Sequence, residues 1–290
     1  MCCRRAGAAG ITLALELEGS GIKVCLLEAG GLEAPPFRED HPYNGESVGR
    51  QYSLMGTRLR YFGGTTNHWG GWCRTLDEVD FTTRLPGPLS GWPIRRRDLE
   101  PYYERAAQIC ELPPNPDPAV SGSQNELFES YDPELVTKHF QMSPPTRFGE
   151  RYRPHLERSQ EILCLLDSTV VEIEQHGPAV SRFRVRSQER TFFVRAGTFV
   201  LAMGAIENAR LMLHSDGSAQ STIGNHSDFV GRCFADHVGK AIGQILAASR
   251  SPYLYEGGAE VLPHLSFRDD ILVDQKLPNF GHDPAPRAIP

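Results

Sequence analysis

No apolar run in this 290-residue sequence approaches the ~20 residues of a membrane span, so no transmembrane helix is expected. No basic stripe stands out either. The longest basic run is Arg95-Arg96-Arg97, and 36 acidic residues outnumber 30 basic ones, for a net charge of −6. That balance argues against nucleic acid as a partner. The seven cysteines are odd in number and form no C-x-x-C pair, so neither a zinc site nor a dithiol site is assigned. A reducing compartment fits slightly better, which favours the cytoplasm. Met1 to Arg5 is basic but leads into no apolar signal region with a cleavage site. A P-loop and an H-E-x-x-H pair are also missing. With 40% apolar and 23% charged residues, what remains is an ordinary globular chain long enough to bury a core.

The most informative stretch runs from Ala6 to Gly31. Ala6-Gly7-Ala8-Ala9-Gly10 opens an apolar helical run through Ile11, Leu13, Ala14 and Leu17. Gly19-Ser20-Gly21 turns the chain into Val24-Cys25-Leu26-Leu27-Glu28, a buried strand ending on an acid. This order is most of a βαβ dinucleotide-binding unit. Gly7 would let backbone approach a pyrophosphate, Gly10 would let helix pack on strand, and Glu28, 18 residues past Gly10, would accept from a ribose. The alternative is an ordinary α/β unit that binds nothing. The G-x-G-x-x-G pattern is incomplete, because Arg5 occupies the first glycine position. Met1-Cys2-Cys3-Arg4 leaves four residues for the first strand, where strands usually run ~5–6, so that strand is expected to be missing.

Further on, Gly63-Gly64-Thr65-Thr66-Asn67-His68-Trp69-Gly70-Gly71-Trp72 packs four glycines among hydroxyls, an amide, an imidazole and two indoles. Glycine at that density lets backbone touch a ligand. It suits a tight structural loop with aromatic plugs equally well. Asp98 is the expected N-cap of a helix through Leu99, Tyr102, Ala106 and Ile109, with Pro101 in its first turn. Residues 113–160 are proline-rich and polar, with a short helix expected around Glu126–Tyr131. From Ile162, apolar and alternating stretches at Val170–Ile173, Arg182–Arg186 and Arg190–Val194 suggest an antiparallel meander. Thr198–Ala202 then reads as a buried strand, Met203-Gly204-Ala205 as a turn, and Ile206–Leu213 as a helix whose Glu207 and Arg210 are read as first-turn and surface charges.

Taken together, these motifs resemble the glucose–methanol–choline oxidoreductases, FAD enzymes that oxidise CH–OH groups. The resemblance covers roughly residues 6–239. It rests on Gly7-Ala8-Ala9-Gly10 with Glu28, Gly63 to Trp69, Ser90-Gly91-Trp92-Pro93-Ile94, Ala202 to Arg210, and the later Gly224-Asn225, Gly231-Arg232 and His237. Asn67-His68-Trp69 is most similar to the pyranose-oxidase and sugar-dehydrogenase branch. The resemblance implies that Gly7, Gly10, Glu28 and Gly30 hold the ADP half of FAD. It implies that Gly63, Gly64, Thr65 and Asn67 line the pyrophosphate and the ring system, that Val170 meets the adenine through its backbone, and that Gly204 and Ala205 close the tunnel. His68 is then either a covalent flavin attachment point or a hydrogen-bonded loop histidine.

The implied fold is α/β: a Rossmann-like FAD-binding domain with a parallel sheet and an antiparallel meander, then the start of an incomplete substrate domain. Its expected parts are 1–112 and 161–245 for the FAD-binding domain, 113–160 for an insertion, and 246–290 for the substrate domain. None of the ten histidines stands in the family's catalytic motif, so no catalytic base is assigned. The implied partner is a small alcohol or sugar. The competing expectations are a truncated, inactive fragment and, with less support, a NAD-binding module, which would not need the Gly63–Gly71 loop.

Overall fold

The computed structural model describes residues 1–36, 38, 40–49, 51–83, 91–112, 132–215, 223–237 and 261–279. The helix expected around Glu126–Tyr131 lies outside them. The fold is mixed α/β, with one parallel sheet and two antiparallel ones.

The chain divides into two compact units, one of residues 1–69 and 147–238, the other of residues 70–146 and 239–290. In the first unit, β1 (Cys2–Arg4) leads into α1 (Ala8–Leu17) and β2 (Val24–Leu27). α1 buries Gly10, Ile11 and Ala14 along one face, as its apolar spacing requires. Gly19 and Gly21, both at φ +79, reverse the chain after it. In the second unit, β3 (Trp72–Cys73) and α2 (Arg96–Ile109) precede β4 (Leu135–Met142). The first unit resumes with α3 (Phe148–Arg158), β5 (Ile162–Leu165), β6 (Thr169–His176), β7 (Ala179–Ser187), β8 (Arg190–Val194), β9 (Phe199–Leu201) and α4 (Ala205–His214). β10 (Val261–Phe267) and α5 (Asp269–Asp274) belong to the second.

The parallel sheet has the order β5-β2-β1-β9. The first strand is therefore present, contrary to expectation. Three residues suffice because β1 pairs in parallel with β2 on one side and β9 on the other. The Cys2 N–H donates to the Thr198 carbonyl at 2.9 Å, and the Met1 carbonyl accepts from Cys25 at 2.9 Å. Cys2 and Cys3 are fully buried. Cys25 on β2 is only half-buried, and so is Cys164, which stands within Ile162–Leu165.

The expected meander forms from β6, β7 and β8, with Val170 opposite Val185 and Phe183 opposite Val194. The run near Ile162 instead joins the parallel sheet as β5. Val170, Ile173, Phe183 and Val185 pack with Leu27, Met203 and Leu211 into the core of this unit. α3 falls inside the 113–160 stretch, yet it packs on α1 and β5.

In the second unit, β10, β4 and β3 form an antiparallel sheet. α2 begins three residues earlier than expected, with Arg95 rather than Asp98 at its N-cap. Asp98 sits at its third position and accepts the Arg95 N–H at 2.8 Å, which places Pro101 in the second turn. On β10, His264 is buried against the Phe140 ring, 4.4 Å between centroids, with no partner for Nδ1 among the described residues. Burial first, then the charges of Arg74 and Lys138, push its pKa down to about 4, against the opposing pull of Asp77.

Between pH ~6.5 and about 4 the unfolded chain therefore binds the His264 proton and the folded chain does not. Stability of the second unit should fall as pH drops through that window, by up to ~1.4 kcal/mol per pH unit. Urea titrations at pH 7, 5.5 and 4.5 would show this, and His264→Phe should flatten the slope.

Candidate functional site

In open α/β sheets, ligands bind beyond the carboxyl ends of the strands, where the strand order reverses. Here that point lies between β1 and β9. Arg4-Arg5, Glu28-Ala29-Gly30 and Met203-Gly204 end or follow their strands at this edge.

Glu28 is fully buried. Its Oε2 accepts the Ala6 N–H at 3.0 Å and its Oε1 accepts the Gly30 N–H at 2.9 Å. The carboxylate thus ties the turn after β1 to the turn after β2. Arg5 carries the positive φ expected of the first glycine position, +89°. Its own N–H donates to the Leu27 carbonyl at 2.6 Å. Its guanidinium donates from Nη1 to the Met203 carbonyl at 2.9 Å and from Nη2 to the Leu59 carbonyl. The side chain therefore spans the edge from β1 to β9.

The glycines mostly serve contacts of backbone on backbone. A Cβ on Gly10 would lie 1.9 Å from the Arg5 carbonyl oxygen, and one on Gly30 would lie 2.1 Å from that of Arg60. Gly63 donates to the Ala6 carbonyl at 2.7 Å and bridges Gly7. A Cβ on Gly64 would come within 3.1 Å of the Gly7 Cα. Gly7 has more room than these, its nearest neighbour lying 4.0 Å from an added Cβ.

Gly7, Gly10, Glu28, Gly30, Gly63 and Gly64 are thus gathered into one cluster. Asn67 is held in the same loop, its Nδ2 donating to the Phe62 carbonyl at 2.8 Å. It borders a wider groove of about 660 Å³ beside α3. Thr65 and His68 are exposed on the loop surface. Gly204, at φ +79, caps α4, and both it and Ala205 are exposed. The Val170 side chain is fully buried in the core, which leaves only its backbone for any ligand.

A charged cluster was missed in the sequence. Glu207 is buried, not a surface charge. Its Oε1 accepts from Arg58 Nη1 at 2.9 Å and its Oε2 from Arg210 Nε at 3.0 Å. Arg58 also lies over the Tyr43 ring, 4.3 Å from its centroid, and burial pushes the Tyr43 hydroxyl pKa up. The three-residue spacing of Glu207 and Arg210 was a faint signal. Arg58, 149 residues away from Glu207, gave none. Gly45-Glu46-Ser47-Val48-Gly49 has the letters of a nucleophile elbow, but it lies in irregular chain. Ser47 Oγ donates to the Tyr52 carbonyl at 3.0 Å, which fits a structural role.

Glu28→Gln would set an amide N–H₂ against one of two backbone N–H donors at a fully buried position. Loss of one hydrogen bond to a charged group costs ~1.5–3 kcal/mol. The expected outcome is that loss in urea denaturation with no ligand present. Unchanged stability would mean the carboxylate does not clamp the two turns.

No family model matches the chain, and no curated sequence does. Among solved structures it is similar to pyridoxine 4-oxidase from Mesorbium loti, at 17% identity and a TM-score of 0.45, over 73% of this chain and 50% of that one. It is also similar to a fungal aryl-alcohol oxidase, at 11% identity and a TM-score of 0.42, over 72% and 46%. The chain spans about half the length of either.

Proposed function

We propose that this chain is the FAD-binding part of an oxidoreductase acting on the CH–OH group of a small alcohol or sugar. The supporting observation is the convergence of the Gly7 turn, Glu28 and the Gly63-Gly64 loop at the edge where a β5-β2-β1-β9 sheet reverses order. That strand order is third-second-first-fourth, as in one half of a dinucleotide-binding fold.

The donor set fits an ADP group in kind. The first turn of α1 has no side-chain cap and no acid, so its N–H groups are open to an anion. Glu28, whose two oxygens already accept backbone N–H groups, and Gly30 would hold the ribose, and the backbone of Val170 would meet the adenine. Gly63, Gly64, Thr65 and Asn67 would face the pyrophosphate and ring, and Gly204 and Ala205 would close the far side. His68 would be either the attachment point or a loop residue. The cofactor, when bound, would accept a hydride from the alcohol carbon. This chain's residues would bind and orient it, and no base for the hydroxyl proton is assigned among them.

Room is the obstacle. The cavity at this edge is about 60 Å³, whereas ligand pockets run ~300–1,000 Å³. Arg5 fills the space that a glycine would leave. This observation favours the second reading, that the chain alone does not turn over alcohols.

Purified chain and its Arg5→Gly variant, each incubated with FAD and desalted, test both readings. The expected result is weak or no flavin in the parent and at least tenfold more in the variant, with neither reducing a dye acceptor on a panel of sugars and primary alcohols. Flavin in neither protein overturns the FAD reading. Equal flavin in both means that Arg5 is no barrier. Flavin wholly in the supernatant after acid precipitation excludes His68 as a linkage point.

A further inference from the structure

Four arginines, Arg4, Arg5, Arg60 and Arg210, line the small cavity between the ends of β1, β2 and β9, and Glu207 is the one carboxylate among its lining residues. Both oxygens of Glu207 are taken, by Arg58 and Arg210. Arg5 is 7% exposed and spends its guanidinium on two carbonyls. Arg60 donates to Thr169 Oγ1 at 2.7 Å, which leaves the threonine proton free to point elsewhere.

Arg4 is the odd member. It is 5% exposed, and its buried Nη1 has no hydrogen-bond partner among the described residues. Burial, and then the nearby Arg210, pull its pKa down to about 10 against the opposing pull of Glu207, so it remains a cation at neutral pH. A buried cation with an unpaired N–H, whose nearby carboxylate Glu207 is already bonded to Arg58 and Arg210, is destabilising. A water molecule in the cavity would satisfy the N–H but not the charge.

We infer that this cavity is a binding site for a phosphate-sized oxyanion, held by the guanidinium groups of Arg4 and its arginine neighbours. The size agrees. About 60 Å³ is several times the ~10–15 Å³ that one water requires, which gives room for a tetrahedral oxyanion but not for a whole nucleotide. The chemistry agrees as well, since guanidinium forks match phosphate oxygens with charge-assisted hydrogen bonds. The site is the same cavity that is too small for the cofactor of the flavin reading, and the oxyanion inference stands without that reading. The phosphate would be either free or carried at the end of a nucleotide whose sugar and base stay outside.

The test uses the full chain in chloride buffers of matched ionic strength, with thermal melting and calorimetric titration. The probes are inorganic phosphate, AMP and adenosine. Saturable stabilisation by phosphate, with adenosine silent, supports the site and a free oxyanion. Binding of AMP at least tenfold tighter than phosphate, adenosine again silent, supports it with the phosphate on a nucleotide.

Arg4→Met should lose at least tenfold in affinity and melt no lower than the parent without phosphate, because the unpaired cation is gone. Arg210→Gln, which leaves β1 untouched, should also weaken binding and covers the case in which Arg4→Met fails to fold. The inference is overturned if neither phosphate nor AMP gives a saturable effect. It is overturned equally if adenosine binds as tightly as AMP, or if the parent and the folded variants respond alike, which is the general salting effect of phosphate. None of these outcomes depends on FAD retention, so the two readings fail separately.

Discussion

The Glu28 carboxylate is the constraint on which the edge of the parallel sheet depends. It is fully buried and it accepts one backbone N–H from each of two turns, Ala6 after β1 and Gly30 after β2. A buried carboxylate without such donors would protonate or unfold its surroundings. With them, it fixes the spacing of the two turns. Its own backbone continues the tie, donating to Leu165 at 2.9 Å and accepting from Ser168 at 2.7 Å. The loop before β6 is thereby held to the same edge.

Arg5 is the second constraint, and it is in tension with the first. At φ +89 it adopts a backbone conformation that costs an L-residue ~1–2 kcal/mol. Its bonds to Leu27, Met203 and Leu59 offset that cost and bring the ends of β1 and β9 under one side chain. The turn keeps the course of a glycine turn while losing the space that glycine would provide. Arginine at this position also adds a cation to a crevice that already contains Arg4, Arg60 and Arg210. The edge of the sheet consequently carries more positive charge than the acidic chain as a whole would suggest.

The glycine-dense loop makes a related point. Gly63 and Gly64 were expected to let backbone approach a ligand. What approaches them is the chain itself: Gly149 at the start of α3 on one side and the Gly7 turn on the other. Arg147 secures the loop from the same side, donating to the Thr66 and Trp69 carbonyls at 3.0 and 2.9 Å. A loop can serve both purposes, because positive φ and a missing Cβ are needed for either.

The sequence alone determined the elements whose signals are local. α1 followed from its apolar spacing, β2 from a buried run ending on an acid, the meander from alternation, and the β9–Gly204–α4 unit from strand, glycine and helix in succession. It also marked Arg5 as standing at the first glycine position of the turn. Tertiary structure decided what depends on pairing between distant segments. A three-residue strand looked too short, yet burial and pairing on both sides sustain β1. Glu207 looked like a surface charge until Arg58 arrived from 149 residues away. Asp98 looked like an N-cap because sequence shows its chemistry but not its backbone angles. The arginine cavity was invisible, since Arg4, Arg60 and Arg210 are neighbours only where three strands end together. Local propensity is written in adjacent residues, whereas enclosed charge and close backbone approach arise only when the sheet assembles.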